Sequence, residues 1–364
     1  MNILFLVSSM TGGGAERVAA VLCNQWAKEG HSVTLVPTYS GGGGCDYELD
    51  TNVNLVYLAN QAKKNNKLTR FVSLRRIIKH NNPDVIYSFL THVNIVAILV
   101  SYGLNIPVVV SERIYPPSSY RSKKMLAACR LLYPYAHKVV MQTDKGAKWM
   151  KGFTPRSNVT VIANPVKYPM ENSLVEDEAS YGDIIAKDRF AFLAVGRLEK
   201  QKGFGDLITA FSIIADEIPD WDLVILGEGT QRQALEKEAE RKEIQERVFL
   251  PGRLKSLDSW YKQASIYIMS SYYEGFPNSL LEAMTYGLAV ISRDCDTGPR
   301  DLITDSYNGF LVPVDSIDEL ANKMLNLAKD EDKRHEYSTK AKVVRDTYSI
   351  DKIASKWLSE ACNA

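Results

Sequence analysis

Two stretches in the second half of the chain pair residue types that can act on a diphosphate. The first reads Val195-Gly196-Arg197-Leu198-Glu199-Lys200-Gln201-Lys202-Gly203. Arg197 and Lys202 sit there on one loop, as two fixed cations can meet two phosphates. A solvated charge run would look the same in isolation. The second reads Glu274-Gly275-Phe276-Pro277-Asn278-Ser279-Leu280-Leu281-Glu282-Ala283-Met284. Gly, then Pro-Asn-Ser, is a helix start whose unpaired N–H groups favour anions. Glu274 precedes that helix and Glu282 lies in its second turn, so both carboxylates can face one ligand.

The first half offers Gly12-Gly13-Gly14-Ala15-Glu16-Arg17 between a short apolar run and a helical pattern. Glycines there let a ligand approach the backbone. The loop fails as a dinucleotide fingerprint. Arg17 stands at the third glycine position, and the next strand ends Val36-Pro37-Thr38, with no acid for a ribose. A dehydrogenase is therefore disfavoured. His92 follows a strand ending at Phe89, and Arg113 follows one ending near Val110. Either residue suits an acceptor site or a purely structural contact. Asp294-Cys295-Asp296 has the spacing of a metal motif, but it follows a strand and leads into Gly298-Pro299-Arg300-Asp301. A loop facing the ligand is the better reading.

Positioning these residues needs strands and helices in alternation. Near-continuous apolar runs predict strands at Ile3–Val7, Ser32–Val36, Val53–Leu58, Asp84–Phe89, Pro107–Val110, Lys138–Gln142 and Val159–Ile162, with helical patterns between them. Residues 164–189, opened by Asn164-Pro165 and then acidic, interrupt the pattern as a linker. The alternation restarts at Phe190–Val195, Asp222–Leu226, Val248–Leu250, Ile266–Met269, Leu288–Ser292 and Gly309–Val312. The expected architecture is α/β, with two doubly wound Rossmann-like domains. One spans residues 1–165 and is completed by a terminal helix at 348–364, where Trp357 and Leu358 would pack back. The other spans 166–347. Ligands belong at the C-terminal ends of the strands.

Composition narrows the class. The chain has 364 residues, 45% hydrophobic and 24% charged, as expected of a globular two-domain protein. Five scattered cysteines and five histidines, with no Cys-x-x-Cys or His-Glu-x-x-His, give neither a disulfide framework nor a zinc site, and they fit a reducing cytoplasm. The apolar start reads as a first strand rather than a signal peptide, and no run reaches membrane-span length. Net charge is +1, yet residues 1–165 hold 19 Lys and Arg against 8 Asp and Glu, while the rest hold 25 against 35. Lys63, Lys64, Lys67, Arg70, Arg75, Arg76 and Lys79 cluster about one predicted helix. Arg121, Lys123, Lys124 and Arg130 flank another that carries Met125, Leu126, Leu131, Leu132 and Tyr133. Such a basic amphipathic surface fits an anionic membrane face. No recognition motif accompanies the charge, so nucleic acid is disfavoured.

In order along the chain, "GGGAER", "GRLEKQKG", "LGEG" (Leu226–Gly229), "FLPGR" (Phe249–Arg253) and the Glu274–Glu282 E-x7-E pair resemble family 4 retaining glycosyltransferases of the GT-B fold. The resemblance covers nearly the whole chain. It implies two Rossmann-like domains facing across a cleft, and a UDP-sugar donor whose diphosphate is met by Arg197 and Lys202. It further implies Glu274 on the transferred sugar and Glu282 on the ribose. Gly227, Glu228, Gly229, Arg253, Leu254, Gly275, Phe276, Pro277, Asn278 and Ser279 complete the donor site. Gly13, Gly14, Glu16, His92 and Arg113 fall on the acceptor side. No cofactor or metal is implied. Many relatives have histidine where this chain has Arg113, within Ser111-Glu112-Arg113-Ile114-Tyr115-Pro116. That variant is similar to a bacterial branch acting on surface polysaccharides and lipid-linked oligosaccharides, often from UDP-N-acetylhexosamines. UDP-GalNAc, UDP-GlcNAc and UDP-Gal are expected in that order, with a saccharide or lipid-diphosphate-linked acceptor at the inner face of the plasma membrane. A sugar-nucleotide epimerase or hydrolase, or a non-catalytic nucleotide-sugar binder, are the alternatives.

Overall fold

The structure is a computed structural model and describes residues 1–38, 44–61, 66–118, 122–170, 180–254 and 256–362. Lys63, Lys64, Arg121 and residues 171–179 of the linker therefore lie outside the described residues. The chain divides into two compact units. One comprises Met1–Pro165 with Ile350–Ala364, the other Val166–Ser349. The return of the chain to the first unit thus falls two residues later than the sequence pattern places it, at Ile350 and not at Tyr348. Tyr348 stays with the second unit because its carbonyl accepts from the Val166 amide and its hydroxyl donates to the Asp301 carbonyl.

The first unit holds a seven-stranded parallel sheet of β1 (Asn2–Val7), β2 (Ser32–Pro37), β3 (Val53–Leu55), β4 (Val85–Phe89), β5 (Val108–Ser111), β6 (Lys138–Met141) and β7 (Val159–Val161). Their spatial order is β3-β2-β1-β4-β5-β6-β7. β1 pairs with β2 and β4, so Ile3 lies opposite Val33 on one side and Val85 on the other. The strands are apolar on both faces because helices cover both. Phe5, Trp26, Tyr87 and Phe89 pack on one face, and Leu4, Leu6, Ile86 and Val110 on the other. The helix Ile350–Cys362 joins the first face. Trp357 is fully buried, edge-on to Tyr87, whose hydroxyl donates to the Trp357 carbonyl across 2.9 Å. Leu358 packs there half-buried.

The second unit repeats the design with six parallel strands. These are β8 (Phe190–Val195), β9 (Trp221–Leu226), β10 (Val248–Gly252), β11 (Ile266–Met269), β12 (Ala289–Arg293) and β13 (Phe310–Val312), in the order β10-β9-β8-β11-β12-β13. Its core is built on Phe192, Phe211, Trp221 and Ile268. In each sheet the order reverses once, between β1 and β4 and between β8 and β11. At such switch points the loops at the strand C-termini splay apart and leave room for a ligand.

Candidate active site

The C-terminal edge of the second sheet is locked glycine against backbone. The Gly227 amide donates to the Gly252 carbonyl, that of Gly196 to Leu226 and that of Leu198 to Glu228. Gly227 has φ 148°, and a Cβ there would lie 1.8 Å from the Gly196 carbonyl oxygen. One on Gly229 would lie 2.4 Å from that of Leu198. The "GRLEKQKG" and "LGEG" turns therefore touch main chain to main chain, which explains their glycines. Glu228 is exposed and held by Arg232 through both carboxylate oxygens, at 2.5 and 3.0 Å. Arg253 is exposed and Leu254 half-buried just past β10.

On this edge the Lys202 ammonium donates to Glu274 Oε1 at 2.6 Å, and the Ser271 hydroxyl reaches the same oxygen at 2.7 Å. The lysine stem runs over Gly196, where a Cβ would meet its Cε at 3.1 Å. Arg197 projects exposed from the same loop. The helix Asn278–Tyr286 starts after Pro277 with no side-chain cap, and a Cβ on Gly298 would collide with the Pro277 ring at 2.4 Å. Phe276 is buried against Tyr348, with ring centroids 5.8 Å apart. Gly275, Asn278 and Ser279 are half-buried. Four turns of backbone thus meet around one cation, one carboxylate and an uncapped helix start.

Residues that spacing did not reveal set the orientation of this group. The buried Tyr261 hydroxyl donates to Glu282 Oε2 at 3.1 Å, and that of Tyr267, from β11, donates to Ser279 Oγ at 2.7 Å. Thr297 donates to the Glu274 carbonyl. These tyrosines carry no motif. Only their place on a strand or helix beside the E-x7-E segment could have suggested them. Asp294 is bound by Arg300 through both oxygens. Among the described residues no group of three or more His, Cys, Asp and Glu is arranged to hold a metal.

The first unit has its own polar cluster at the same edge of its sheet. Arg113 is buried, stacked 4.1 Å from the Phe89 ring centroid, and donates to Asn164 Oδ1 and, at 3.5 Å, to Ser111 Oγ. Gln142 shares that Asn164 oxygen at 2.8 Å. Arg113 Nε is buried without a partner. Burial pulls this guanidinium down to about 9, Glu16 opposing. Glu112 turns away: Thr91 donates to it at 2.8 Å and Tyr133 to its other oxygen. The Arg113–Glu112 pair that adjacency suggests is therefore not the arrangement found. Glu16 folds over Gly13, where a Cβ would lie 2.1 Å from Oε2. The Tyr47 hydroxyl takes the Gly13 amide and gives to its carbonyl, each at 2.7 Å. That N–H is hence engaged within the protein rather than open to a ligand. Gly14 is exposed, and His92 Nε2 lies 3.1 Å from Ser8 Oγ. Leu90, just before the His92 helix, has φ 79°, a strained backbone of the kind found at ligand sites.

Two residues of the basic amphipathic surface are otherwise occupied. Tyr133 is fully buried beneath the sheet, and Arg75 donates to the carbonyls of Val100 and Tyr102. Lys67, Lys123 and Lys124 are exposed. Among the described residues no helix is long and apolar enough to cross a membrane.

The fold and this edge define a class, the GT-B glycosyltransferases. Two solved structures share it along nearly the whole chain. Sucrose-phosphate synthase from Thermosynechococcus elongatus has TM-score 0.83 and 17% identity, covering 99% of this chain and 98% of its own. HepE of Anabaena, in complex with UDP and glucose, has TM-score 0.77 and 18% identity, covering 98% of each. Residues 12–168 match Glycosyltransferase Family 4 and residues 177–344 match Glycosyl transferases group 1, so the chain belongs to the glycosyltransferases that join these two domains. A further relative is the GalNAc-alpha-(1->4)-GalNAc-alpha-(1->3)-diNAcBac-PP-undecaprenol alpha-1,4-N-acetyl-D-galactosaminyltransferase of Campylobacter jejuni. It is 28% identical over 98% of this chain and 97% of its own. This protein is a glycosyltransferase.

Proposed function

We propose that this glycosyltransferase moves a hexose or N-acetylhexosamine from a UDP-sugar, UDP-GalNAc or UDP-GlcNAc first, to a saccharide acceptor carried on a lipid diphosphate, with retention of anomeric configuration, in surface polysaccharide or glycan assembly. The observation that carries it is the Lys202–Glu274 pair, 2.6 Å apart on adjoining strand-end loops beside an uncapped helix start. A diphosphate and a sugar bound there would divide the pair, the phosphate taking the ammonium and a sugar hydroxyl the carboxylate. The UDP and glucose in the Anabaena structure and the undecaprenol-linked acceptor in the Campylobacter enzyme's name support the donor and acceptor classes.

Cleaving the anomeric carbon–phosphate bond puts negative charge on the departing diphosphate. Lys202, Arg197 and the first amides of the helix Asn278–Tyr286 stabilise that charge without reorganising, so the reading needs no metal. Retention follows if the acceptor attacks the face the phosphate leaves, its proton passing to the leaving oxygen. No enzymic nucleophile is then required. Glu282 takes the ribose and Tyr261 orients it. Arg113, cationic at neutral pH, suits an acceptor phosphate or hydroxyl, with Glu16 and His92 alongside.

The first unit also supports a peripheral position on the cytoplasmic membrane face. Helices that follow parallel strands begin at the C-terminal sheet edge. The exposed Lys67, Lys123 and Lys124 open two such helices, Lys67–Asn81 and Lys123–Leu132. They therefore stand on the side that would meet the acceptor.

The test is UDP release from each nucleotide sugar, with and without a lipid-diphosphate saccharide. Release that requires acceptor and yields an α-linked product is expected. Acceptor-independent release of free sugar would instead identify a hydrolase, and conversion of the donor an epimerase.

A further inference from the structure

Arg293 ends β12 and is fully buried. It belongs to no motif noted in the sequence. A guanidinium taken out of water is costly unless its hydrogen bonds are met, so where its donors go is informative. Nη2 meets Asp206 Oδ2 at 2.6 Å and Nη1 the Ser270 carbonyl at 3.1 Å, while the plane lies 4.9 Å from the Tyr272 ring centroid. The Tyr272 hydroxyl donates to the same Asp206 oxygen at 2.7 Å.

Each partner lies on, or on the helix that directly continues, one of the two loops that carry Lys202 and Glu274. Asp206 sits in the first turn of the helix Phe204–Ile214, immediately after Lys202-Gly203. Ser270 and Tyr272 open the loop to Glu274. The loops are further zipped to each other. The Ser270 hydroxyl donates to the Lys202 carbonyl at 2.8 Å, the Tyr272 amide to Gln201 at 2.9 Å, and the Gln201 side chain to the Tyr273 carbonyl at 2.7 Å. Gly203, with φ 63°, is pressed so closely that a Cβ would stand 2.2 Å from the Ser270 carbonyl oxygen and 2.9 Å from Arg293 Nη1. Arg293 is thus a key between two loops whose separation sets the Lys202–Glu274 distance.

We propose that Arg293, through Asp206 and Tyr272, is a positioning residue that fixes Lys202 for its contact with the donor diphosphate. It touches no substrate. This rests on the reading of Lys202 as a phosphate contact, and the test separates the two.

UDP and UMP binding are measured by calorimetry, and the UDP-over-UMP preference is the readout, because a general loss of packing would weaken both ligands alike. Loss of a charge-assisted contact predicts that Lys202→Ala reduces the preference about tenfold or more. Arg293→Lys, which keeps the charge and loses the fork, should reduce it about fivefold with UMP affinity within about twofold. In the Lys202→Ala background, Arg293→Lys should change the preference by less than about twofold, since both act through one contact. Tyr272→Phe removes only the hydroxyl shared with Asp206, at a residue 40% exposed. It carries the same test at smaller amplitude should Arg293→Lys fail to fold. A preference lost in Lys202→Ala but intact in Arg293→Lys and Tyr272→Phe, or fully additive effects in the double variant, overturns the positioning role alone. A preference unchanged in Lys202→Ala removes the phosphate reading and this inference with it.

Discussion

Tyr261 and Glu282, twenty-one positions apart, share a hydrogen bond of 3.1 Å inside the second unit, and both side chains are buried. The tyrosine ring is stacked on Tyr286, whose hydroxyl is in turn tied to Asp258. The carboxylate therefore has a fixed orientation before any ligand arrives, which lowers the cost of ordering it on binding. Tyr261→Phe should weaken UDP binding about fivefold, or about 1 kcal/mol, less than the full worth of a hydrogen bond to a charged group because the tyrosine acts through Glu282 and not on the ligand. The penalty should shrink for a nucleotide lacking both ribose hydroxyls. Equal penalties for the two nucleotides would remove Glu282 from the ribose.

Lys202→Ala and Arg197→Ala should each lower kcat by at least about a hundredfold, on the scale of one preorganised donor to a developing anion. Their effects on stability should differ. Lys202 is the partner of a buried carboxylate, so its removal leaves Glu274 uncompensated and lowers the urea midpoint. Arg197 is exposed, and its loss should leave the midpoint in place. Near-normal turnover in both variants would refute the clamp.

Two glycines of the second unit should respond oppositely to alanine. At Gly227 a Cβ meets main chain at 1.8 Å in a backbone with φ 148°. Neither neighbour can yield, and about 3 kcal/mol or more of stability should be lost. Gly205, in the helix Phe204–Ile214, has open space around it, and alanine there should gain up to about 1 kcal/mol. Denaturant melts decide both.

Arg113 remains a cation across the neutral range, because burial lowers its pKa only to about 9. Acceptor-dependent turnover should therefore fall as pH rises through about 9, while UDP binding does not. Arg113→Gln should cost about a hundredfold in acceptor-dependent turnover and should lack that alkaline limb. The linkage has a definite sign. The folded value lies below that of the unfolded chain, so the cost of burying the charged form is present below about 9 and is relieved as pH rises through it.

Flotation on vesicles tests the membrane reading. The wild-type chain should float with anionic and not with neutral vesicles. Replacing Lys67, Lys123 and Lys124 by Glu should abolish flotation, at about 1 kcal/mol per cation removed. Equal flotation on both vesicle types would end the electrostatic account.

The alternation of apolar runs and helical patterns was enough to read two doubly wound sheets, because a parallel strand buried on both faces has no other sequence signature. The positions of Arg197, Lys202 and Glu274 at strand ends were equally legible, since each lies on a segment that follows a predicted strand, with Glu282 in the helix Asn278–Tyr286 beyond them. Spacing alone could not show that Lys202 and Glu274, 72 positions apart, meet at 2.6 Å. Nor could it show that Arg113 looks to Asn164 rather than to its neighbour Glu112, that Tyr47 occupies the Gly13 amide, or that Tyr133 is core rather than surface. Local pattern records what a residue prefers along its own strand or helix. Which groups share a hydrogen bond depends on strands adjacent in the sheet but distant in sequence, and on the burial that turns a lone arginine such as Arg293 into a fixed key. Those choices are made only when the sheet order is set.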